Sequence, residues 1–205
     1  MHKHRLDALT DGIFAVAMTL LVIELKLPEA EVIRDSAELG YALAHLIPKV
    51  LSWVISFSVL AIFWWGHHRV MHHVKQIDGK LVAINLMFLA AVSFMPFASS
   101  ISGNYPRVFA SQIVYSGTMA LTGCAAIALW RYVHRHPELC ETPMSEDAYR
   151  GARVRIGMLM AVSVLACLIA FWFAPAGNTA FMLMVLSRPL TRWMGKRSVG
   201  PAQAG

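Results

Sequence analysis

The chain has 205 residues, 57% hydrophobic and only 15% charged, with a mean hydropathy of +0.54. Soluble domains are about 45–50% apolar and about a quarter charged, so a water-facing globule and a disordered chain are both excluded. The 18 Lys and Arg outnumber the 12 Asp and Glu, but no polar stretch interleaves basic with aromatic residues, so the excess speaks of membrane sidedness and not of nucleic acid.

Six apolar stretches follow one another, each close to the length of about 20 residues that a bilayer requires. The basic start with Lys3 and Arg5 has the look of a signal peptide, yet Asp7 and Asp11 interrupt it and no small-residue cleavage site follows. A retained first helix is predicted over 6–27, ended by Pro28. The second span is expected over 41–67, with Pro48 near its first turn and Trp64 and Trp65 at its far end. The third, 81–100, contains Pro96, where a kink or an early end is expected. The fourth and fifth are placed at 108–132 and 156–174. The sixth, 179–194, is short and carries Arg188, which can snorkel to the interface. Together they make one six-helix domain over 1–197, with a disordered tail over 198–205.

Six spans put both termini and the second-to-third and fourth-to-fifth connections on one side. All but Lys26, Arg34, Lys49 and Arg107 of the 18 Lys and Arg fall there. The positive-inside rule therefore predicts a multi-pass protein of the inner (plasma) membrane with both termini cytosolic. Motifs of soluble enzymes (GxSxG, HExxH, P-loop, Rossmann glycines) are absent, as is the TVGYG filter loop, so no enzyme and no cofactor are expected. Cys124, Cys140 and Cys167 form neither a disulfide framework nor a CxxC site. His68 and His72 stand four apart, a metal-ligand spacing, but no Cys or paired carboxylate completes the set. The cluster over 67–73 reads first as an interfacial helix end, and no metal site is assigned.

The first span is the most informative. At about 100° per residue, Leu9, Gly12, Val16, Leu20, Ile23 and Leu27 share one face, with Thr19 at its edge and Arg5 near it. Asp7, Thr10 and Asp11 point elsewhere. Ionisable residues within a span default to a functional hypothesis. Taken alone, however, the stripe reads as a packing face and Asp11 as a satisfied buried acid.

The segment Arg5-Leu-Asp-Ala-Leu9-Thr10-Asp11 resembles the RxxxFSD signature opening the first helix of the transmembrane protein 175 potassium channels in their bacterial form. The apolar continuation to Pro28 is similar as well. Trp64-Trp-Gly-His67-His-Arg69 resembles the family's WxxHxR, and Asn85-Leu and Phe94-Met-Pro96-Phe resemble its helix-three stretches. Leu9 and Thr10 replace the signature Phe and Ser, and Val16 stands where a larger Ile or Leu is usual. The resemblance implies an all-α membrane protein with six helices per subunit, four subunits setting their first helices around a central pore. On that reading Val16, Leu20 and Ile23 stack as apolar rings that gate by dewetting. Thr19 hydroxyls favour potassium, and protons are a second candidate permeant ion. Thr10 and Asp11 would bond to Trp64, His67 and Asn85; Arg5 would form an intersubunit or interfacial ion pair, with Asp7 or Asp78 as candidates; Glu24 would draw cations to the mouth. The rival reading is a proton- or cation-coupled transporter, and a third is a membrane scaffold or metal-responsive protein.

Overall fold

A computed structural model of the chain describes residues 3–27 and 35–172. Five helices run through them: α1 (Lys3–Ile23), α2 (Ser36–His73), α3 (Gly79–Asn104), α4 (Phe109–Arg135) and α5 (Glu146–Trp172), with a single 3-10 turn at Pro137–Leu139 before α5. All five are long and apolar enough to cross a membrane. The sixth expected span, the tail over 198–205 and Pro28 lie outside the described residues.

The helices depart from the apolar stretches mostly by running past them into polar flanks. Asp35 and Asp78 cap α2 and α3, accepting from the backbone N–H of Glu38 and Leu81 at 2.8 Å each, the satisfaction that orphan N–H groups at a helix start require. Helix α5 begins ten residues before the expected 156. There Ser145 Oγ accepts from Ala148 N at 3.2 Å, and Glu146 and Asp147 occupy the first turn, where the helix dipole favours negative charge. Helix α1 is the exception, because it stops at Ile23 instead of reaching 27. Leu25 N bonds Val22 O and Lys26 N bonds Glu24 O, both at 3.0 Å, and Leu27, preceding Pro28, is disfavoured in the helical region. Leu27 therefore does not continue the helical stripe.

Pro96 does not end its helix, and Pro48 lies deeper in its helix than expected. Helix α3 continues through Pro96 to Asn104, and Pro48 sits well inside α2 instead of in its first turn. Prolines are tolerated within membrane helices where packing neighbours and local adjustments make good the lost backbone bond, and Pro96 is buried among such neighbours.

Helix α3 packs against α1, α2 and α4, and α4 packs against α5. An aromatic group holds α1, α2 and α3 together: Phe88 lies 5.9 Å from Phe14 and 6.1 Å from Phe63, centroid to centroid. Between membrane helices, close packing and hydroxyl bonds replace the hydrophobic effect, since lipid tails are as apolar as Leu. The α4–α5 contact shows this: a Cβ at Gly123 would stand 3.0 Å from Met160 Cγ, so only glycine lets Met160 approach without a shift. At one end of the bundle the connection after α2 meets the connection after α4. Lys75 N donates to Leu139 O at 2.8 Å, Glu141 N to His73 O at 2.9 Å, and the Tyr132 hydroxyl to Asp78. Of the basic residues at this end, Lys75 lies in the connection after α2, whereas Arg69, Lys80, Arg131 and Arg135 lie in the flanking helix ends.

Candidate functional site

Helix α1 has two apolar faces with different surroundings. Leu6, Thr10, Phe14, Ala17 and Leu21, spaced three and four apart, are buried against α2 and α3. Leu9, Val16, Leu20 and Ile23 are 39%, 56%, 43% and 56% exposed. With Gly12, Ile13 and Ser93, the first three of these line an apolar groove of about 400 Å³. The uncovered arc is wider than the aliphatic stripe and takes in Ala8, Ala15 and Val22. Thr19, also exposed, donates its hydroxyl to its own helix, with Ala15 O and Val16 O both at 2.9 Å. Its oxygen lone pairs are thereby left outward as acceptors.

At the Lys3 end a polar relay crosses three helices. His67 Nε2 donates to Asn85 Oδ1 at 2.7 Å, Asn85 Nδ2 to Thr10 Oγ1 at 3.3 Å, and Thr10 Oγ1 to Leu6 O at 2.9 Å. His67, Asn85 and Thr10 are all buried, and His67 stacks on Phe88 at 4° and 5.7 Å. Asp11 is bonded separately, accepting from Trp64 Nε1 at 2.9 Å. It is exposed in the single chain and lines a cavity of about 140 Å³ with Lys3, Asp7, His67, His68, Met71 and His72. Within the single chain the expected buried acid is thus accessible, because it sits on the edge of the packed face while Thr10 occupies the interior.

Other expected pairings differ. Within the single chain Asp7 pairs with Lys3 at 3.8 Å and Asp78 is taken by Tyr132 and the α3 cap; an intersubunit pair of Arg5 is a matter for the assembly. Glu24 does not face the open side. It accepts from Ser100 Oγ of α3 at 2.7 Å. His68 lies against Trp64 at 6.0 Å, and among the described residues no three His, Cys, Asp or Glu side chains are arranged to hold a metal.

Sequence reasoning missed a buried hydroxyl cluster. Ser56 Oγ donates to Ser99 Oγ at 2.8 Å and lies 2.9 Å from Tyr115 Oη, while Ser52 Oγ reaches Ser99 O at 3.4 Å. It joins α2, α3 and α4. The legible signal was the spacing of Ser52 and Ser56, four apart on one helix face; their partners, 43 to 59 residues away, carried none.

A helix with one face anchored on its own subunit and one left uncovered can be placed among known proteins. The sequence model described as "Endosomal/lysosomal potassium channel TMEM175" matches residues 5–96, the stretch that holds α1, α2 and the polar relay. A potassium channel of Streptomyces collinus is 31% identical over 186 residues, 89% of each chain. A potassium channel of Chamaesiphon minutus is 30% identical over 131 residues, 62% of this chain and 64% of that one. The human endosomal/lysosomal proton channel TMEM175 is 26% identical over 182 residues, 83% of this chain but 36% of its own length. The fold matches the crystal structure of the lysosomal potassium-selective channel TMEM175 homolog from Chamaesiphon minutus with a TM-score of 0.75 at 24% identity, covering 92% of this chain and 97% of that one. With the Streptomyces protein aligned almost end to end and the fold shared with a solved relative, the chain belongs to the TMEM175 family.

Proposed function

We propose that the chain is one subunit of a homotetrameric, potassium-selective or potassium-preferring cation channel in the inner (plasma) membrane. Each subunit crosses six times, both termini are cytosolic, and protons are a second permeant ion. The reading needs no catalysis and no cofactor. The observation that carries it is the open face of α1: a nearly continuous aliphatic surface that nothing among the described residues covers. For that face to line a path, copies of the helix are needed to enclose an axis. The names of the Streptomyces and Chamaesiphon relatives support potassium as the permeant ion, and the TMEM175 name of the human protein supports the proton.

In this arrangement Val16, Leu20 and Ile23 form stacked rings whose dewetting closes the path. Thr19, its hydroxyl proton already committed to Ala15 O and Val16 O, offers oxygen to a partly dehydrated cation. That favours potassium, the ion that sheds water more cheaply. Arg5 and Leu9 lie at the cytosolic entrance. Thr10, Asp11, Trp64, His67 and Asn85 fix the rotation of α1 and touch no ion.

Potassium flux into proteoliposomes tests this reading. Leu20→Asn and Ile23→Asn are expected to wet the constriction and raise basal flux about tenfold, equivalent to about 1.4 kcal/mol of barrier. Met18→Gln, turned toward the packed side, leaves flux unchanged, and Thr19→Val narrows the potassium-to-sodium flux ratio. Flux unchanged by polar residues at all three rings, in intact tetramers, would favour a coupled transporter instead.

A further inference from the structure

The polar relay holds α1 at its cytosolic end only. At the outer end the helix unwinds at Glu24, where Lys26 N turns back onto Glu24 O. Leu21, 2% exposed, is the last buried apolar residue of α1, and the first buried residue of α2 is Ser52. Beyond Leu21 the hold is polar. Glu24 Oε2 accepts from Ser100 Oγ at 2.7 Å, and Ser100 Oγ in turn accepts from Asn104 Nδ2, one turn further along α3, at 3.2 Å. The pair borders a cavity of about 10 Å³ shared with Lys49, Trp53 and Ser99, room for about one water molecule. Trp53 Nε1 is a buried donor with no partner among the described residues. Lys49 lines the cavity without forming an ion pair with Glu24 among the described residues. The hydroxyl of α3, not the lysine of α2, therefore takes the carboxylate, in a bond strengthened by the charge of its acceptor.

From this geometry we infer that Glu24 is a positioning residue: through Ser100 it clamps the outer end of α1 to α3 and keeps the Leu20 and Ile23 rings turned onto the pore axis. The inference rests on the channel reading above. Ile23 adjoins Glu24 and Leu20 lies about one helical turn below it, so holding Glu24 holds both rings. With the cytosolic end fixed by Trp64 and Asn85, freeing the outer end lets the upper half of α1 rotate and the rings part. Glu24 so placed does not act as a charge that draws cations to the mouth.

Proteoliposome flux and single-channel recording on the full-length protein decide the matter. Glu24→Ala and Ser100→Ala are each expected to raise basal potassium flux about fivefold or more, the low end of coupling effects of this kind, with unitary conductance unchanged. The double variant leaks no more than either single one, because one bond is lost in all three. Glu24→Gln, whose amide oxygen still accepts from Ser100, stays within about twofold of the parent. Should Glu24→Gln and Glu24→Ala lower unitary conductance alike while Ser100→Ala does not, Glu24 acts by its charge and the clamp is wrong. A conducting parent whose Ser100→Ala variant is unaltered also overturns the clamp and leaves the channel reading standing. A parent that passes no potassium overturns both.

Discussion

The two faces of α1 are about equally apolar, yet one is packed and the other is not. Phe14, Ala17 and Leu21 are at most 2% exposed, whereas Val16 and Ile23 are 56% exposed. In lipid, apolar surface alone gives a helix no preferred rotation, since acyl chains solvate Leu and Val as well as a neighbouring helix does. What distinguishes the faces is shape and polarity. Phe14 packs on Phe88, which also meets Phe63, and Thr10 and Asp11 meet donors from Asn85 and Trp64. The polar residues at one end thus set the rotation, and the aliphatic stripe faces outward by consequence.

The largest expected effect comes from substituting the two faces in parallel. Phe14→Ala leaves a void that α2 and α3 only partly fill. Of a Phe→Ala cost of about 3–5 kcal/mol in water, the cavity share of about 2–3 kcal/mol persists in a membrane. Val16→Ala opens no internal void and should stay within about 0.5 kcal/mol, its effect appearing in flux instead. Thermal unfolding in detergent reads both. Equal losses would mean that the open face is packed as tightly as the other, and the contrast would collapse.

A smaller effect ranks the polar residues. Asn85→Leu strands His67 inside the bundle and takes a donor from Thr10, at about 1–3 kcal/mol for a buried unsatisfied group. Asp11→Ala removes one bond from an exposed carboxylate, nearer the average of about 0.6 kcal/mol found for bonds between membrane helices. The same unfolding assay orders them. If Asp11→Ala proves the more damaging, Asp11 and not the buried relay sets the rotation of α1.

How much of this was legible in the sequence depended on the range of the interaction. The stripe of Leu9, Gly12, Val16, Leu20 and Ile23 follows from helical periodicity alone, and that Trp64, His67 and Asn85 share a region with Thr10 followed from the family resemblance. Which donor meets which acceptor did not: His67 bonds Asn85 and not Asp11, a difference set by the stacking of His67 on Phe88. Helix ends were misjudged because hydropathy marks the lipid-facing stretch, while Asp35, Asp78 and Ser145 mark the ends by hydrogen bonding. The turn of Glu24 toward Ser100 joins residues 76 apart, and neither residue's local sequence encodes it.

The smallest expected effect concerns a part of the molecule that touches neither face. Asp78 caps α3 and accepts from Tyr132, bridging the connection after α2 to α4. The Tyr132 hydroxyl, and then the Leu81 backbone N–H, hold the Asp78 carboxyl below its usual range. A carboxylate depressed by folding stabilises the protein in full above its unfolded-state value, and that contribution is lost as pH falls through the depressed folded value. Tyr132→Phe is accordingly expected to lower the unfolding temperature slightly at neutral pH. The gap from the parent should narrow as acid protonates Asp78, with basal potassium flux unchanged throughout. A gap constant across that range would mean that the charge of Asp78 contributes nothing to the bridge. Altered flux at neutral pH would show that the rotation of α1 is set partly from this distant bridge, and the two faces could no longer be explained by the contacts of α1 alone.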